Sequence, residues 1–366
     1  MKMKKLIGLL LVVAMLMGAI GMFAACSESY EIALVTDVGT IDDQSFNQGA
    51  WEAVKAYATE KKISYGYYRP SEDSTAARLV SIKNAVTGGA KIIVCPGFLF
   101  EEAIYEAQTL YPEVKFVLLD GTPHTADYSV FKTEANVACF LYQEEQAGYL
   151  AGYAAVKDGF RKLGFLGGMS VPAVIRYGYG YIQGIDAAAK ELNLAKDAVK
   201  VNYVYGGQFY GSADITTQMD AWYASGIEVV FACGGGIYSS PVESCAKGEG
   251  RYVIGVDTDQ GHLSKYIVTS ATKGLGVSVK TALEAFYGDK WATVGGKATT
   301  LGAINDGIGL GTGFWKLNNF KIADYEAVFA KLKAGTVVVD PQSEAHPVVS
   351  NKVVVTYFDD IVKPKA

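Results

Sequence analysis

The feature that most constrains this chain is a pattern that occurs twice. In each half, an apolar run ends in a cysteine followed by a glycine-containing turn, and a second apolar run further on ends in an aspartate. The first copy extends from Cys95 to Asp120 and the second from Cys233 to Asp257, intervals of 25 and 24 residues. A chain that repeats one plan this closely predicts two lobes of the same architecture.

The fold class follows from how the apolar runs alternate with helical patterns. Runs rich in β-forming residues separated by amphipathic segments are typical of parallel sheets built from βαβ units. A length of 366 residues is too much for one ordinary core and suits two α/β lobes. We therefore expect two doubly wound lobes. Ligands of such sheets bind outside the carboxyl ends of the strands, so facing lobes share one cleft. The predicted strands cover residues 31–36, 91–94 and 115–119 in the first half and 163–166, 228–231 and 252–256 in the second.

Composition excludes several classes of protein. With 50% apolar and 19% charged residues, the chain is neither disordered nor fibrous. A formal net charge of −5 gives no electrostatic footprint for nucleic acid. Three histidines argue against a multi-histidine metal site. No dinucleotide fingerprint, phosphate-binding loop or nucleophile elbow is present, so we expect no cofactor and no metal.

The N-terminus has the pattern of a targeting segment. Three lysines within the first five residues precede an uncharged apolar run over residues 6–25, which ends in Phe23-Ala-Ala-Cys26. This pattern predicts a signal peptide over residues 1–25. A cysteine directly after small residues resembles the lipobox of bacterial lipoproteins, in which Cys26 is lipidated and begins the mature chain. Residues 26–30 would then be a tether on the outer side of the cell membrane, and the charge would become −8. A plain signal peptide and an uncleaved anchor helix are the alternatives.

Four further cysteines follow Cys26. They are Cys95, Cys139, Cys233 and Cys245, and they show no CxxC spacing and no nearby histidine, so a zinc site is not expected. Cys95 and Cys233 each end a strand-like run, which predicts buried small hydrophobic side chains. An extracytoplasmic location permits a disulfide, and the sequence leaves that question open.

The richest polar segment spans residues 37–47. Asp37 follows the first predicted strand directly and is well placed to face a ligand. Asp42 and Asp43 precede a predicted helix, and they either cap its positive end together with Ser45 or line the cleft. Phe46 offers an aromatic platform or fills the core. Asn47 carries an amide that both donates and accepts hydrogen bonds.

The second group of candidates comes from the repeated strand ends. Asp120 and Asp257 are carboxylates that suit the paired hydroxyls of a ribose. Lys273 follows an apolar and hydroxyl-rich run, and it either donates into the cleft or lies on the solvated surface. His124, shortly after Asp120, either lines the cleft or is a surface or hydrogen-bonded residue.

The third group is aromatic and glycine-rich. Tyr177, near the start of a predicted helix, and Phe46 together suit a planar ring held between two aromatic faces. Tyr181 shares the face of Tyr177 and fits the core better. The glycine turns at Gly97 and at residues 234–236 are expected beside the same cleft.

Together these segments resemble the basic membrane protein family of substrate-binding lipoproteins, which includes the purine nucleoside receptor A type. The likeness covers nearly all of the mature chain. It is carried by the following motifs: Asp37-x-Gly-x-x-Asp-Asp-x-Ser-Phe-Asn47, Glu145-Gln-Ala-Gly-Tyr-Leu-Ala-Gly152, Lys162-Leu-Gly-Phe-Leu-Gly-Gly-Met169, Val171-Pro with Gly180-Tyr181, Ile254-Gly-Val-Asp-Thr-Asp-Gln260, Val268-Thr-Ser-Ala-Thr-Lys273 and Asn305-Asp-Gly-Ile-Gly-Leu310.

The resemblance implies a type I periplasmic-binding-protein fold whose lobes are joined by three crossing segments. It implies an N-terminal lobe of residues 31–145 plus about 273–300, and a C-terminal lobe of residues 146–272 plus about 301–366. It also implies roles in a nucleoside site. Phe46 and Tyr177 would stack on the base; Asp37, Asn47 and Asp120 would bond the base edge or nearby ribose; Asp257, Lys273, Gly235 and Gly236 would hold the ribose.

This sequence departs from the family pattern in three places. Tyr177 stands where the family generally has Phe, residues 261–267 form a shorter segment than usual, and Tyr238 adds an aromatic residue after the glycine run.

The leading hypothesis is a monomeric, tethered protein that binds a purine nucleoside and delivers it to the permease subunits of an ABC importer. A binding protein for a sugar or another small solute on the same fold is the second hypothesis. A nucleoside hydrolase that uses Asp37, Asp42 and Asp43 on a divalent metal is the enzyme alternative. A surface adhesin or signalling receptor is the remaining class.

Overall fold

Two β-sheets organise the molecule. The computed structural model describes residues 29–342 and 344–362, so the predicted signal peptide and Cys26 lie outside the described residues. Within those two ranges, no helix is both long and apolar enough to cross a bilayer. Cys95, Cys139, Cys233 and Cys245 are all buried and free, which answers for this part of the chain the disulfide question that the sequence left open.

The first sheet, which we call the N-lobe sheet, has six strands in the order β11-β5-β4-β3-β1-β2. Every neighbouring pair is parallel. Its inner strands are buried on both faces, which is why they read as continuous apolar runs. The strands are β1 (Ile32–Val35), β2 (Tyr65–Tyr68), β3 (Ile92–Pro96), β4 (Lys115–Leu119), β5 (Val137–Tyr142) and β11 (Lys297–Leu301).

The second sheet, the C-lobe sheet, has seven strands in the order β12-β10-β9-β8-β6-β7-β13. Its pairs are parallel except for the one between β10 and β12. Its first five strands along the chain, β6 to β10, lie side by side in the same spatial order as β1 to β5 of the N-lobe sheet. This match confirms the predicted repeat of a doubly wound architecture. The strands are β6 (Lys162–Gly167), β7 (Val199–Tyr205), β8 (Val229–Cys233), β9 (Tyr252–Asp257), β10 (Ile267–Lys273), β12 (Ile308–Leu310) and β13 (Val353–Tyr357).

Nine α-helices in the described ranges cover the two sheets. On the N-lobe, α1 packs against α8 and α2 packs against α3; on the C-lobe, α4 packs against α5 and α6 against α7. The helices are α1 (Phe46–Lys61), α2 (Thr75–Thr87), α3 (Glu101–Leu110), α4 (Glu144–Asp158), α5 (Pro172–Glu191), α6 (Ala213–Ala224), α7 (Ser239–Cys245), α8 (Leu275–Tyr287) and α9 (Ile322–Lys333).

The chain passes between the lobes three times. It leaves the N-lobe sheet at the end of β5 and begins α4, which packs on the C-lobe. It returns after β10 into α8, which packs on α1 and β4, and it crosses again between β11 and β12. The carboxyl ends of β5, β10 and β11 therefore all lie at the passage between the lobes.

Helices α4 and α5 approach each other unusually closely because glycines lie at their contact. A Cβ atom added to Gly148 would lie 2.0 Å from the carbonyl oxygen of Tyr177, and one added to Gly180 would lie 1.9 Å from that of Glu145. Gly152 and Gly184, four residues further along each helix, show the same proximity. This packing holds the first turns of α4 and α5 together, and those turns carry Glu144 and Tyr177.

Candidate ligand-binding site

The site is built at the carboxyl ends of strands from both sheets. The turn after β1 begins it, and its first helical residues belong to α1. Asp37 lies two residues after β1, and its Oδ1 accepts hydrogen bonds from the Gly39 amide (2.7 Å) and from Nδ2 of Asn47 (2.8 Å). In return, Oδ1 of Asn47 accepts the Asp37 amide at 3.2 Å. The strand end and the helix start are thereby joined into one unit.

Asp43 is the residue that caps α1. Its Oδ1 accepts the amides of Ser45 (2.8 Å) and Gln48 (3.0 Å), and its Oδ2 accepts the amide of Asn47 (3.0 Å). Nδ2 of Asn47 adds a further hydrogen bond at 2.9 Å. A carboxylate among the unpaired amides at a helix start is stabilised by the helix dipole. Of the two interpretations of Asp43, the structure supports the helix cap.

The carboxyl group of Asp37 is poised to titrate near neutral pH. Burial raises its pKa to about 6, although the hydrogen bonds from Gly39 and Asn47 act in the opposite direction. Oδ2 of Asp37 faces Gly97, where an added Cβ would lie 3.1 Å away. Gly97 also has a φ of 112°, a conformation that favours glycine. This turn therefore brings the end of β3 against Asp37.

Asp120 and Asp257 occupy equivalent positions, and both adopt the left-handed conformation with a φ of 63°. Asp120 follows β4 and Asp257 ends β9. Asp is among the few residues that adopt this conformation as single residues. The backbone thus turns identically after the fourth strand of each sheet, and it points a carboxylate from each lobe toward the space between them.

Lys273 is the cation at the centre of the site. Its side chain is 2% exposed, and Nζ lies 2.6 Å from Oδ2 of Asp120 and 3.1 Å from Oε1 of Glu144. The Nε of Arg176 lies 2.6 Å from the other oxygen of Glu144. The four residues form a buried chain of alternating charge, from the N-lobe through the crossing segments to α5.

The ionisable groups of this charged cluster shift one another's pKa values. Burial alone would lower the pKa of Lys273, but the carboxylates of Asp120 and Glu144 raise it well above its usual value. Burial would raise the pKa of Glu144, but Lys273 and Arg176 together hold it below its usual range. For Asp120 burial prevails over Lys273, and the pKa is raised. Oδ1 of Asp120 is buried and has no hydrogen-bond partner in the described chain.

Three aromatic rings surround the Lys273 ammonium. Nζ lies 5.1 Å from the ring centroid of Phe46, 5.0 Å from that of Tyr142 and 5.5 Å from that of Tyr177. At these distances each ring face attracts the cation. Phe46 comes from the N-lobe and Tyr177 from the C-lobe, so the cation lies among rings contributed by both lobes. The Tyr177 ring also packs edge-on against Phe231, 5.9 Å away.

The glycine turn after β8 approaches the loop after β7 at backbone distance. The Gly236 amide donates to the carbonyl of Phe209 at 2.8 Å, and a Cβ on Gly235 would lie 2.8 Å from that same oxygen. Gly235 has a φ of 51°. Close approach explains why glycine occupies this turn, and it engages the Gly236 amide within the protein.

The chain matches the family model described as "Bmp: ABC transporter substrate-binding protein PnrA-like" over residues 31–340. The chain belongs to the Bmp family. It is 31% identical to the "ABC transporter nucleoside-binding protein BmpA" of Lactococcus lactis subsp. cremoris over 84% of this chain and 86% of that protein. It is also 31% identical to "Basic membrane protein A" of Borreliella burgdorferi, over 76% of this chain and 80% of the relative.

Solved structures share the fold. An ABC transporter solute-binding protein from Aeropyrum pernix K1 superimposes with a TM-score of 0.72 at 21% identity, covering 86% of this chain and 94% of that one. The expected type I periplasmic-binding fold is confirmed. As a Bmp family member, the chain is an ABC transporter substrate-binding protein, and its relatives are binding proteins rather than enzymes.

Four of the nine residues predicted for this Bmp family member's site, Phe46, Asp120, Tyr177 and Lys273, lie together around the Lys273 ammonium. The Lys273 ammonium contacts Asp120 and the rings of Phe46 and Tyr177 directly, so Lys273 is not a surface lysine. The amide of Asn47 is engaged by Asp37 and Asp43, so in this conformation it shapes the turn rather than facing the cleft. Tyr181 is fully buried, with its ring 5.3 Å from that of Phe231, as a core residue would be.

His124 lies outside the group of residues around Lys273. Its Nε2 is 3.2 Å from Oε2 of Glu101, and its ring stacks on Tyr128 at 4.1 Å. With Leu79 and Tyr105 it lines a cavity of about 550 Å³ between α2 and α3 whose lining includes none of the predicted site residues. Of its two interpretations, the hydrogen-bonded residue is correct. No group of three or more His, Cys, Asp or Glu side chains in the described ranges is arranged to hold a metal ion.

Sequence reasoning missed three residues that shape the site: Tyr142, Glu144 and Arg176. The cap role predicted for the Ser45 side chain is wrong, because its Oγ makes no cap hydrogen bond and donates to Asp257 instead. Glu144 directly precedes the Glu145 motif, and its place in the first turn of a helix resembles an ordinary favourable interaction with the helix dipole. Arg176 directly precedes Tyr177. Their pairing joins positions 32 residues apart in two helices, and only the glycine-mediated contact of α4 with α5 brings them together.

Proposed function

We propose that the protein binds a purine nucleoside between its lobes, outside the cytoplasm, and delivers it to the permease subunits of an ABC importer. The observation that carries this proposal is the cluster around Lys273. Asp120 from the N-lobe contacts the Lys273 ammonium, which lies near the rings of Phe46 and Tyr177, while Asp37 lies just after β1 and Asp257 at the end of β9. Carboxylates suit the hydroxyls of a ribose and the N–H groups of a base, and aromatic faces suit the base ring. A relative named as a nucleoside-binding protein adds support.

For the individual residues we propose the roles that the family resemblance implies. Phe46 and Tyr177 would contact the base, while Asp37 and Asp120 would accept from its edge or the nearby ribose. Asp257, Lys273 and the turn at Gly235 and Gly236 would hold the ribose. Asn47 would act through Asp37. We place the lobe boundaries near residues 145, 273 and 300.

Calorimetric titration with inosine, guanosine, adenosine and ribose tests the proposal. We expect heat from at least one purine nucleoside and none from ribose. Ribose binding without nucleoside binding would select a sugar-binding protein instead, and no heat from any nucleoside would contradict the proposal.

Phe46→Ala is the sharpest variant for the base platform. Loss of a stacked ring costs about 1–3 kcal/mol per base, so we expect nucleoside affinity to fall by about tenfold or more. Phe131→Ala is the matched control, because Phe131 is an exposed phenylalanine on the connection between β4 and β5. Equal effects of the two substitutions would contradict a stacking role for Phe46.

Membrane attachment is a separate part of the proposal and rests on Cys26. Two acyl chains on this residue would hold the protein at the membrane stably. We expect metabolic labelling with a fatty-acid analogue to mark the wild-type protein and not Cys26→Ser, and Cys26→Ser to leave the membrane fraction. Labelling of both proteins would place the lipid elsewhere.

A further inference from the structure

The two lobes contact each other directly at one end of the site, through protein groups alone. Oγ of Ser45, in the turn before α1, donates to Oδ2 of Asp257 at the end of β9, with 2.6 Å between the oxygens. The neighbouring carbonyl of Gln44 accepts from Oγ1 of Thr258 at 2.9 Å and from Nε2 of Gln260 at 3.0 Å. Three hydrogen bonds therefore join segments that lie more than 200 residues apart and in different lobes.

Both sides of this contact are also held by hydrogen bonds within their own lobes. On the N-lobe side, Asp43 accepts the Ser45 amide, and Oε1 of Gln48 accepts the Gln44 amide at 2.9 Å. Gln44 adopts the left-handed conformation, with a φ of 58°. A donor or acceptor that is already oriented loses little conformational freedom when its partner arrives.

The C-lobe side is equally constrained. Gln260 is fully buried. Its side-chain Oε1 accepts the Val256 backbone amide at 3.0 Å, and its backbone amide donates to Oγ of Ser270 at 3.0 Å. The Gln260 side chain therefore reaches Gln44 from a fixed position. Ser45 is fully buried and Asp257 is 7% exposed, so their hydrogen bond is shielded from water.

We propose that Gln44 and Ser45 on the N-lobe, with Asp257, Thr258 and Gln260 on the C-lobe, form a clasp that holds the lobes closed without ligand. Gln44, Ser45 and Gln260 are positioning residues in this proposal: they act on affinity by populating the closed form. When only a fraction of the protein is closed, the apparent dissociation constant rises in inverse proportion to that fraction. The effect on affinity rests on the proposed nucleoside function, whereas the closed population does not.

The clasp also uses part of the hydrogen-bonding capacity of the Asp257 carboxylate. Ser45 occupies one acceptor site of Oδ2, so Oδ1 and the second site of Oδ2 remain to serve a ligand. The residue therefore links lobe closure to the place where a ribose is proposed to lie.

The experiment measures lobe separation in the ligand-free, full-length protein. Spin labels attached through unnatural amino acids at exposed positions 83 and 214 report the distance between the N-lobe and the C-lobe by pulsed electron resonance. We expect a closed population in the wild type that shrinks in Ser45→Ala. The closing equilibrium constant should fall by about tenfold, the effect of one hydrogen bond to a charged group, and nucleoside affinity should fall in proportion to the closed fraction, by at most about tenfold.

Two further variants complete the design. Thr258→Val removes the hydroxyl that reaches Gln44 while keeping the side-chain shape, so it tests the clasp even where Ser45→Ala fails to fold. Ser81→Ala removes a buried hydroxyl of α2 and should leave both the distances and the affinity unchanged.

Three outcomes would overturn the clasp. The first is a ligand-free wild type with no closed population, and the second is a distance distribution that neither Ser45→Ala nor Thr258→Val changes. The third is a loss of affinity in Ser45→Ala at unchanged distances, because Ser45 would then be a ligand contact. A wild type that binds no nucleoside would contradict the proposed function, and its ligand-free distances would still decide on the clasp.

Discussion

The ammonium of Lys273, at the end of β10, lies 2.6 Å from Oδ2 of Asp120, which follows β4 in the other lobe. Both side chains are almost fully buried. Such a pair is costly to assemble and costlier to break, because removing one partner leaves a buried charge without compensation. Here the cation serves two carboxylates, since Glu144 lies 3.1 Å away. The fold therefore depends on the same lysine that is proposed to hold a ligand.

We predict that Lys273→Met lowers the free energy of unfolding by about 3–5 kcal/mol, the cost of stranding a buried partner charge. Urea denaturation at pH 7.5 measures it. Lys280→Met is the control, because Lys280 lies on the exposed face of α8 and makes only a loose ion pair with Glu284; we expect a change within about 0.5 kcal/mol. Adding Asp120→Asn to Lys273→Met should restore part of the stability. Equal stability of the Lys273 and Lys280 variants would refute the prediction.

Removing the charge of Glu144 should lower the stability of the protein far more than removing that of its neighbour Glu145. Glu144 pairs with both Arg176 and Lys273, so Glu144→Gln leaves two cations short of a partner and should cost about 3 kcal/mol. Oε2 of Glu145 is buried and has no hydrogen-bond partner in the described chain. Glu145→Gln should therefore change stability by less than about 1 kcal/mol at pH 5, where the raised pKa keeps Glu145 protonated.

The pH dependence of unfolding separates these two acids further. Burial raises the pKa of Glu145 to about 7, above its value in the unfolded chain. Its contribution to stability is therefore present at low pH and is lost as the pH rises through about 7. Chemical denaturation between pH 5 and 8 should show a shallower decline in Glu145→Gln than in the wild type. The same decline in both proteins would contradict this assignment.

The glycines between α4 and α5 give a prediction about packing. Gly148→Ala places a Cβ 2.0 Å from the Tyr177 carbonyl, so the helices must move apart; we expect a loss of about 1–3 kcal/mol and weaker ligand binding, because Glu144 and Tyr177 move with them. Gly276→Ala is the matched control in α8, where an added Cβ meets no atom within 4 Å. That substitution should stabilise the protein by about 0.5–1 kcal/mol. Thermal unfolding of the two variants would contradict the prediction if both shifts had the same sign.

Sequence patterns predicted the fold because six of the inner strands, β1, β3, β4, β6, β8 and β9, each carry their own signal. The inner strands are buried on both faces and stand out as apolar runs, and the left-handed turns at Asp120 and Asp257 follow the runs that the repeat singled out. Local signals of this kind depend only on residues next to each other in the chain.

Contacts between distant residues could not be predicted in the same way. The pairing of Glu144 with Lys273 and the bond from Ser45 to Asp257 depend on how the crossing segments and the lobes meet. Asn47 shows that local chemistry alone can mislead. Its side-chain amide suits a ligand, but in the structure it donates to Asp37 and Asp43. Residue chemistry identifies the candidates, and contacts between distant parts of the chain determine which of their polar groups are already engaged within the protein.

The last prediction concerns Asp37 and the pH dependence of binding. Burial raises the pKa of Asp37 to about 6, so in the free protein the carboxyl is protonated at pH 5 and ionised at pH 8. A ligand that donates a hydrogen bond to Asp37 favours the ionised form, and its affinity should fall as the pH drops through 6. At pH 5 about one-tenth of the carboxyl is ionised, so Asp37 contributes a weakening of about tenfold relative to pH 8. For folding, the raised pKa means that Asp37 stabilises the protein below pH 4 and that this contribution is lost as the pH rises through 6.

Calorimetric titration of a nucleoside at pH 5, 6, 7 and 8 measures this dependence. Asp37→Asn should bind more weakly at pH 8 and lose the part of the pH dependence that Asp37 supplies, while any remaining dependence would report Asp120 and Asp257, whose pKa values burial also raises. Asp42→Asn is the control, because Asp42 is the exposed acid of the same turn and should leave the profile unchanged. Parallel pH profiles in the wild type and Asp37→Asn would show that Asp37 does not accept a hydrogen bond from the ligand.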